Sequence, residues 1–169
     1  KTPSFKQRDA KILDVISTVL SNGKSSRLYK KLVDDKKIAL QAFSFSRPLE
    51  DYSVYIIGSI LAGGTSADAL IEEIDEEILK LQTELISDDD LQKVRNQFEN
   101  QFVAANSSVR GIATSLARNY ILGGDTNRIN KELGVINSIT KEEVRNVAKK
   151  YLAKDRRVII DYLPESQKK

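Results

Sequence analysis

None of the 169 residues is cysteine or histidine. No disulfide and no thiolate- or imidazole-held zinc can staple such a chain. Whatever it folds into must be held by burying apolar faces. The composition allows this: 40% of residues are hydrophobic and 30% charged, the balance of a globular domain able to bury a core without covalent help. The same absence bounds the chemistry. It removes the usual general base near neutral pH, the thiol nucleophile and the commonest ligands for zinc and copper. Aspartate, glutamate, lysine, tyrosine and serine remain, and each needs a special environment to become reactive.

The 27 basic and 24 acidic residues leave a net charge of +3, interspersed along the chain, which argues against a nucleic-acid partner. No apolar run approaches the roughly 20 residues of a membrane span. The lack of cysteine fits a periplasmic or cell-envelope setting as well as a cytoplasmic one. The chain opens on Lys1 and contains no methionine, as expected of a piece of a longer protein.

After an extended lead-in over residues 1–8, apolar periodicity predicts a helix from Asp9, with Ile12, Ile16, Val19 and Leu20 inward and Asn22-Gly23 as its stop. A second helix is expected from Ser25 to Asp34, burying Leu28 and Leu32. Two strand-like runs come next, Ile38–Ser46 and Tyr52–Ala62, joined by a loop at Arg47–Asp51 as an antiparallel pair. The first places Ala39, Gln41, Phe43 and Phe45 on one side. The second is apolar on both sides and reads as a central, covered strand.

Gly63-Gly64-Thr65-Ser66 opens a long helix with the stripe Leu70, Ile71, Ile74, Ile78, Leu81 and Leu85, opposite Glu72, Glu73, Glu76 and Glu77. Ser87 caps a helix carrying Leu91, Val94, Phe98 and Phe102. A further helical stretch carries Ile112, Leu116 and Tyr120, and Asp125 caps another with Ile129, Leu133 and Ile136. Thr140 and Glu143 form a capping box, with Ile139 and Val144 as its hydrophobic staple. A last strand is expected over Arg157–Leu163. Helices, a hairpin, more helices and one strand predict an α+β fold: a mainly antiparallel sheet with several helices on one face, in a single domain over residues 1–169.

Each chemically suggestive cluster has a plainer reading. The Gly63-Gly64 turn offers N–H groups to an anion, but no Walker lysine comes after it and a strand-to-helix turn suffices. The glutamates at 72, 73, 76 and 77 and the aspartates at 88–90 read as a solvated helix face and a helix start rather than a cation site. Lys24, Arg27, Lys30, Lys31, Lys36 and Lys37 read as a solvated amphipathic helix rather than a phosphate site. Tyr29, Tyr52, Tyr55, Tyr120, Tyr151 and Tyr162 read as mostly core residues. Asn106-Ser107-Ser108 matches the short N-glycosylation pattern. No catalytic, cofactor-binding or metal-binding residue is assigned.

The run Leu20-Ser21-Asn22-Gly23-Lys24-Ser25-Ser26-Arg27-Leu28-Tyr29-Lys30-Lys31-Leu32-Val33 resembles a hallmark of the insulinase/pitrilysin zinc peptidases, the family of mitochondrial processing peptidase and many bacterial zinc proteases. In register with it come Ile38-Ala39 at a strand start, Gly63-Gly64 at a helix entry, and S-x-x-D-L-x-x-x-x-N-x-x-E from Ser87 to Glu99. Ile139–Val144 and Val158-Ile159-Ile160 close the match. The resemblance implies paired α+β domains, one carrying an H-x-x-E-H zinc motif with a further glutamate ligand. Without histidine, this chain resembles the companion domain, which closes over the substrate chamber and holds no metal.

The resemblance also implies cofactor and partners. Zinc is expected in a partner domain of the same or another chain, where it activates water for attack on a peptide carbonyl. The implied partners are that catalytic domain and peptide substrate, with self-association into a homo-oligomer left open. An Arg and a Tyr seven apart contact substrate in some relatives. They align here with Val33 and Leu40, whose side chains cannot donate hydrogen bonds, so substrate-binding residues stay unassigned. Arg27 and Tyr29 are not that pair. The role implied is a non-catalytic domain that helps enclose peptide. The alternative is a scaffold or interaction domain of a catalytically inactive relative.

Overall fold

Helix α1 (Arg8–Ser21) is buried around most of its circumference, because it carries too many apolar residues for a single stripe. Ile12, Leu13, Val15, Ile16, Val19 and Leu20 are all in the core, with Leu13 and Ile16 at 0% exposure. It packs against strand β1 (Ala39–Arg47) and the helices α6 (Lys141–Tyr151), α5 (Arg128–Asn137) and α3 (Asp88–Ala105). The computed structural model describes residues 1–162.

The second helix differs from the expected one. Arg27 and Leu28 start it, and Tyr29–Asp35 continue it with π geometry. Leu28 and Leu32 are nonetheless both fully buried. The wider π turn lets the chain leave toward β1, with Ile38 N–H donating to Leu32 O at 2.9 Å.

β1 pairs antiparallel with β2 (Val54–Leu61). The inner face is small and polar at its middle. Ala42 and Ser44 are buried against α1, and the Ser21 hydroxyl accepts from Ser44 N–H at 2.7 Å. These small side chains let the helix approach the sheet closely. The register shifts between Ala39 and Gln41, so Leu40 is the extra residue of a bulge. Ala39 therefore turns inward, away from the side of Gln41, Phe43 and Phe45 predicted for it. Nor is β2 a covered central strand among the described residues. Thr2 bridges Ser53 at its entry, while Val54 and Ile60 lie about half exposed on the outer face.

Helix α2 (Ala67–Thr83) buries Leu70, Ile78 and Leu81. It ends before Leu85, which is exposed, and Ile86 takes the expected buried place. Ser87 caps α3, accepting from Asp90 N–H at 3.0 Å. Helix α4 (Val109–Gly123) departs from expectation. Ile112 and Tyr120 are exposed and Asn119 is its buried residue, because α4 lies at the margin against α5 and α3. Asp125 does not cap α5 directly. It accepts from Asn127 N–H at 2.8 Å, one turn earlier. The α6 capping box forms as predicted, with Glu143 N–H donating to Thr140 Oγ1 and Thr140 N–H to Glu143 Oε2. Ile139 and Val144 are both fully buried.

The strand expected over Arg157–Leu163 falls partly outside the described residues. Its described part, 157–162, joins no strand among the described residues, and Val158 and Ile160 are about 85% exposed. The outcome is an α+β fold with a small antiparallel sheet and helices gathered on the α1 side.

The centrality of α1 predicts a sharp contrast. Ile16→Ala should cost about 2–5 kcal/mol in urea unfolding. Val109→Ala, on the exposed start of α4, should stay within about 0.5 kcal/mol.

Candidate functional site

The pleat sorts the hairpin into two faces. Small and core-facing residues point to α1. Gln41, Phe43, Phe45 and Arg47 of β1 share the outer face with Val54, Ile56, Gly58 and Ile60 of β2, cross-paired as Phe43–Gly58 and Phe45–Ile56. The Phe43 and Phe45 rings lie 6.1 Å apart at 24°. Gly58 makes room for this. A Cβ there would fall 2.3 Å from Phe43 Cζ, so only glycine lets the ring lie flat across β2. Phe43, Phe45, Val54 and Ile60 are each between 36% and 50% exposed. This is a contiguous apolar face with no covering element among the described residues, of the kind that marks an interaction surface.

The charged clusters meet in part through ion pairs. Lys31 of the π-helix reaches Glu73 at 3.1 Å, Glu76 at 2.6 Å and Glu77 at 3.4 Å of α2. Lys36 pairs with Glu73, and Lys80 with Glu76 and Glu77 at 3.1 and 2.9 Å. Of the four glutamates read as a solvated face, Glu72 and Glu76 are exposed and the other two are not. Glu77 is buried and Glu73 mostly so. Burial alone would lower the Lys31 ammonium, but hydrogen bonds to Glu76 and Glu73 hold it raised. Lys36 holds Glu73 lowered, and Lys31 and Lys80 bring Glu76 down to about 2. Asp75 is buried against Arg157 and Lys154, the latter at 3.0 Å. Burial would raise its carboxyl, but the two cations outweigh this and lower it. The two clusters lie far apart in sequence, so periodicity alone could not pair them.

The remaining candidates resolve individually. Gly64 adopts φ +85°, the left-handed conformation this turn needs, and Ser66 caps α2 by accepting from Ala69 N–H at 3.1 Å. Asp88 pairs with Lys141 at 2.8 Å and Asp90 with Arg27 at 3.7 Å, so the acidic helix start also ties elements together. Tyr55 packs partly buried against the core, its hydroxyl 3.1 Å from Ser17 Oγ and pushed up to about 12 by burial. The Tyr151 hydroxyl donates to Asp9 at 2.9 Å. Tyr52, Tyr120 and Tyr162, in contrast to the core reading, are exposed. Asn106 is the C-cap of α3, and its amide donates to Phe102 O at 2.8 Å. Val33 packs against the core edge, and Leu40 projects from the bulge, 68% exposed. Among the described residues no group of three or more acidic side chains is arranged to hold a metal, and no helix is long and apolar enough to cross a membrane.

The model of the peptidase M16 inactive domain matches residues 1–98. Zinc protease PqqE of Helicobacter pylori is 38% identical over 130 residues, which is 73% of this chain and 29% of that protein. The zinc protease YmxG of Bacillus subtilis is 25% identical over 146 residues, 85% of this chain and 35% of that protein. The chain thus spans about a third of the length of these curated relatives. A crystal structure of a protease from Helicobacter pylori superposes with a TM-score of 0.85 at 29% identity, covering 92% of this chain and 37% of that one. An inactive peptidase domain from Bordetella parapertussis superposes with a TM-score of 0.86, covering 96% of this chain and 87% of that one. Its 22% identity shows a shared fold alone.

The ion pairs give this arrangement a pH signature. Arg8 holds Glu143 lowered. Against burial, Lys150 and Tyr151 hold Asp9 lowered too, alongside Glu73, Asp75 and Glu76. Carboxylates lowered in the folded state contribute stability above their unfolded values of about 4, and lose it as pH falls through the folded ones. Asp14 runs the other way. Burial pushes it up to about 6 against Lys11 and Arg118, so it gains stability on acidification between about 4 and 6. The five lowered groups dominate below that range. Urea midpoints should fall steeply below about pH 4; a midpoint that holds or rises from pH 4 to 3 would contradict the pairing.

Proposed function

The chain belongs to the peptidase M16 inactive-domain family, and from that premise we propose that it is the non-catalytic domain of a zinc metallopeptidase, helping to enclose and hold peptide substrate. In this reading residues 1–169 form one domain of a longer assembly. A separate H-x-x-E-H domain, in the same chain or a second subunit, holds zinc and performs hydrolysis. That domain and the peptide are the partners. This chain supplies surface.

The observation that carries the reading is the open apolar face of the hairpin. An unfolded peptide exposes apolar side chains, and the exposed field of Phe43, Phe45, Val54 and Ile60, with Ile56 partly buried beside them, can bury them without demanding one sequence. Val33 and Leu40, at the positions where some relatives carry a hydrogen-bonding pair, extend the same apolar character. Contact with the peptide is thus broad and hydrophobic, and the reacting carbonyl is left to the zinc domain.

The test is kinetic and uses the whole peptidase. Phe43→Ser with Phe45→Ser should raise KM for an unfolded peptide about tenfold, as expected when two partly exposed aromatic contacts are lost. Zinc content should hold and kcat should change little. An unchanged KM would remove the hairpin face from substrate binding. A parent protein with no intact H-x-x-E-H and no hydrolysis would favour the scaffold role instead.

A further inference from the structure

Three elements meet beside the loop that joins α1 to the π-helix. Thr18 comes from α1, Ser25 and Arg27 from the loop and the start of the next helix, and Asp90, Lys93 and Gln97 from α3. Between them lies a cavity of about 20 Å³. That is room for one particle of about the size of a water molecule. Buried Val19 and Val94 also line it, so the polar groups act beside apolar side chains, where electrostatic interactions are strong.

The lining is rich in donors and poor in acceptors. The Lys93 ammonium donates to the Ser25 hydroxyl, a neutral partner, and among the described residues it forms no ion pair. Ser25 accepts that bond and still has its own O–H proton to place. Arg27 reaches one carboxylate, Asp90, at 3.7 Å, which is beyond hydrogen-bond distance. Gln97 accepts from the Asn22 amide at 3.4 Å through its carbonyl oxygen, which leaves its NH₂ group to donate. Against these donors stand the Asp90 carboxylate and the Thr18 hydroxyl oxygen, whose proton goes to Asp14 O at 3.1 Å. Donors held away from bulk water cost free energy until they find an acceptor. A water molecule accepts hydrogen bonds but brings protons of its own to place. A monatomic anion only accepts, and two cations facing one carboxylate favour negative charge there.

We propose that this cavity binds a monatomic anion of the halide class, chloride where that is the salt present, held by Lys93 and Arg27 with the Ser25 hydroxyl and the Gln97 amide. Size sets the class. Phosphate and a peptide carboxylate each have several heavy atoms and exceed a water-sized space. The ion bridges α1, the following loop and α3, and so ties down the turn at Gly23-Lys24-Ser25. Lys93 is far in sequence from the basic run at 24–37, and only the fold brings it to Arg27. The inference is independent of the peptide-enclosing role.

Thermal unfolding of the chain in sodium chloride and in sodium gluconate at equal ionic strength tests it. The midpoint should be about 2–4 °C higher in chloride. Lys93→Met should remove that difference. Asp90→Asn takes away the opposing carboxylate, and should lower the chloride concentration at half-effect by at least about threefold. Crystals of the unaltered chain grown in sodium bromide should show an anomalous scatterer between Lys93 Nζ and the Arg27 guanidinium. Equal midpoints in the two salts, a chloride effect that survives Lys93→Met, or no bromide in the cavity would overturn the inference. Stabilisation by phosphate with none by chloride would overturn it too, and would give the cavity to an oxyanion.

Discussion

Between Ala10 and Leu20, helix α1 has eight buried residues and too little polar surface to stand in water. With no cysteine or histidine to form a disulfide or hold zinc, this burial is the constraint on which the other elements depend. The hairpin covers α1 on one side with Ala42 and Ser44, whose small side chains permit close approach. α6, α5 and α3 cover other sides. Each of these elements is amphipathic and needs a partner for its own apolar stripe, and α1 serves several of them at once. Covering the inner face of a two-stranded sheet with one helix leaves the outer face free, and that free face is the surface proposed to meet peptide.

Charge is organised by the same economy. The basic π-helix and the acidic side of α2 pair across Lys31, Lys36, Glu73, Glu76 and Glu77. An exposed ion pair is worth little, but Glu77 is buried, and a buried carboxylate without its lysines would be costly. The network ties α2 to the π-helix.

Local signals are legible in the residues. The α1 stripe, the hairpin, the Ser87 cap and the Thr140–Glu143 capping box are short-range features, and each forms where its pattern lies. The family is legible too, from Leu20–Val33 and the ordered motifs after it. Features set by distant partners are not. The Leu40 bulge reverses Ala39 because register is decided across the pair. Tyr120 and Ile112 are exposed because, among the described residues, nothing covers the side of α4 that faces away from α5 and α3. β2 is apolar on both faces, a pattern that suggests burial, yet one face is open. The outer hairpin face is the part of the site that periodicity alone does not reveal. Its signal is present in the alternation of Phe43 and Phe45 with Ala42 and Ser44.

A chain without histidine or cysteine, belonging to a zinc-protease family, separates surface from chemistry: in the proposed role this domain offers an apolar face, and the metal is held by another domain. The most direct measurement incubates the purified 169-residue chain with zinc and an unfolded peptide, and follows peptide mass over time. The peptide should stay intact at every zinc concentration. Zinc-dependent cleavage by this chain alone would contradict the proposed role.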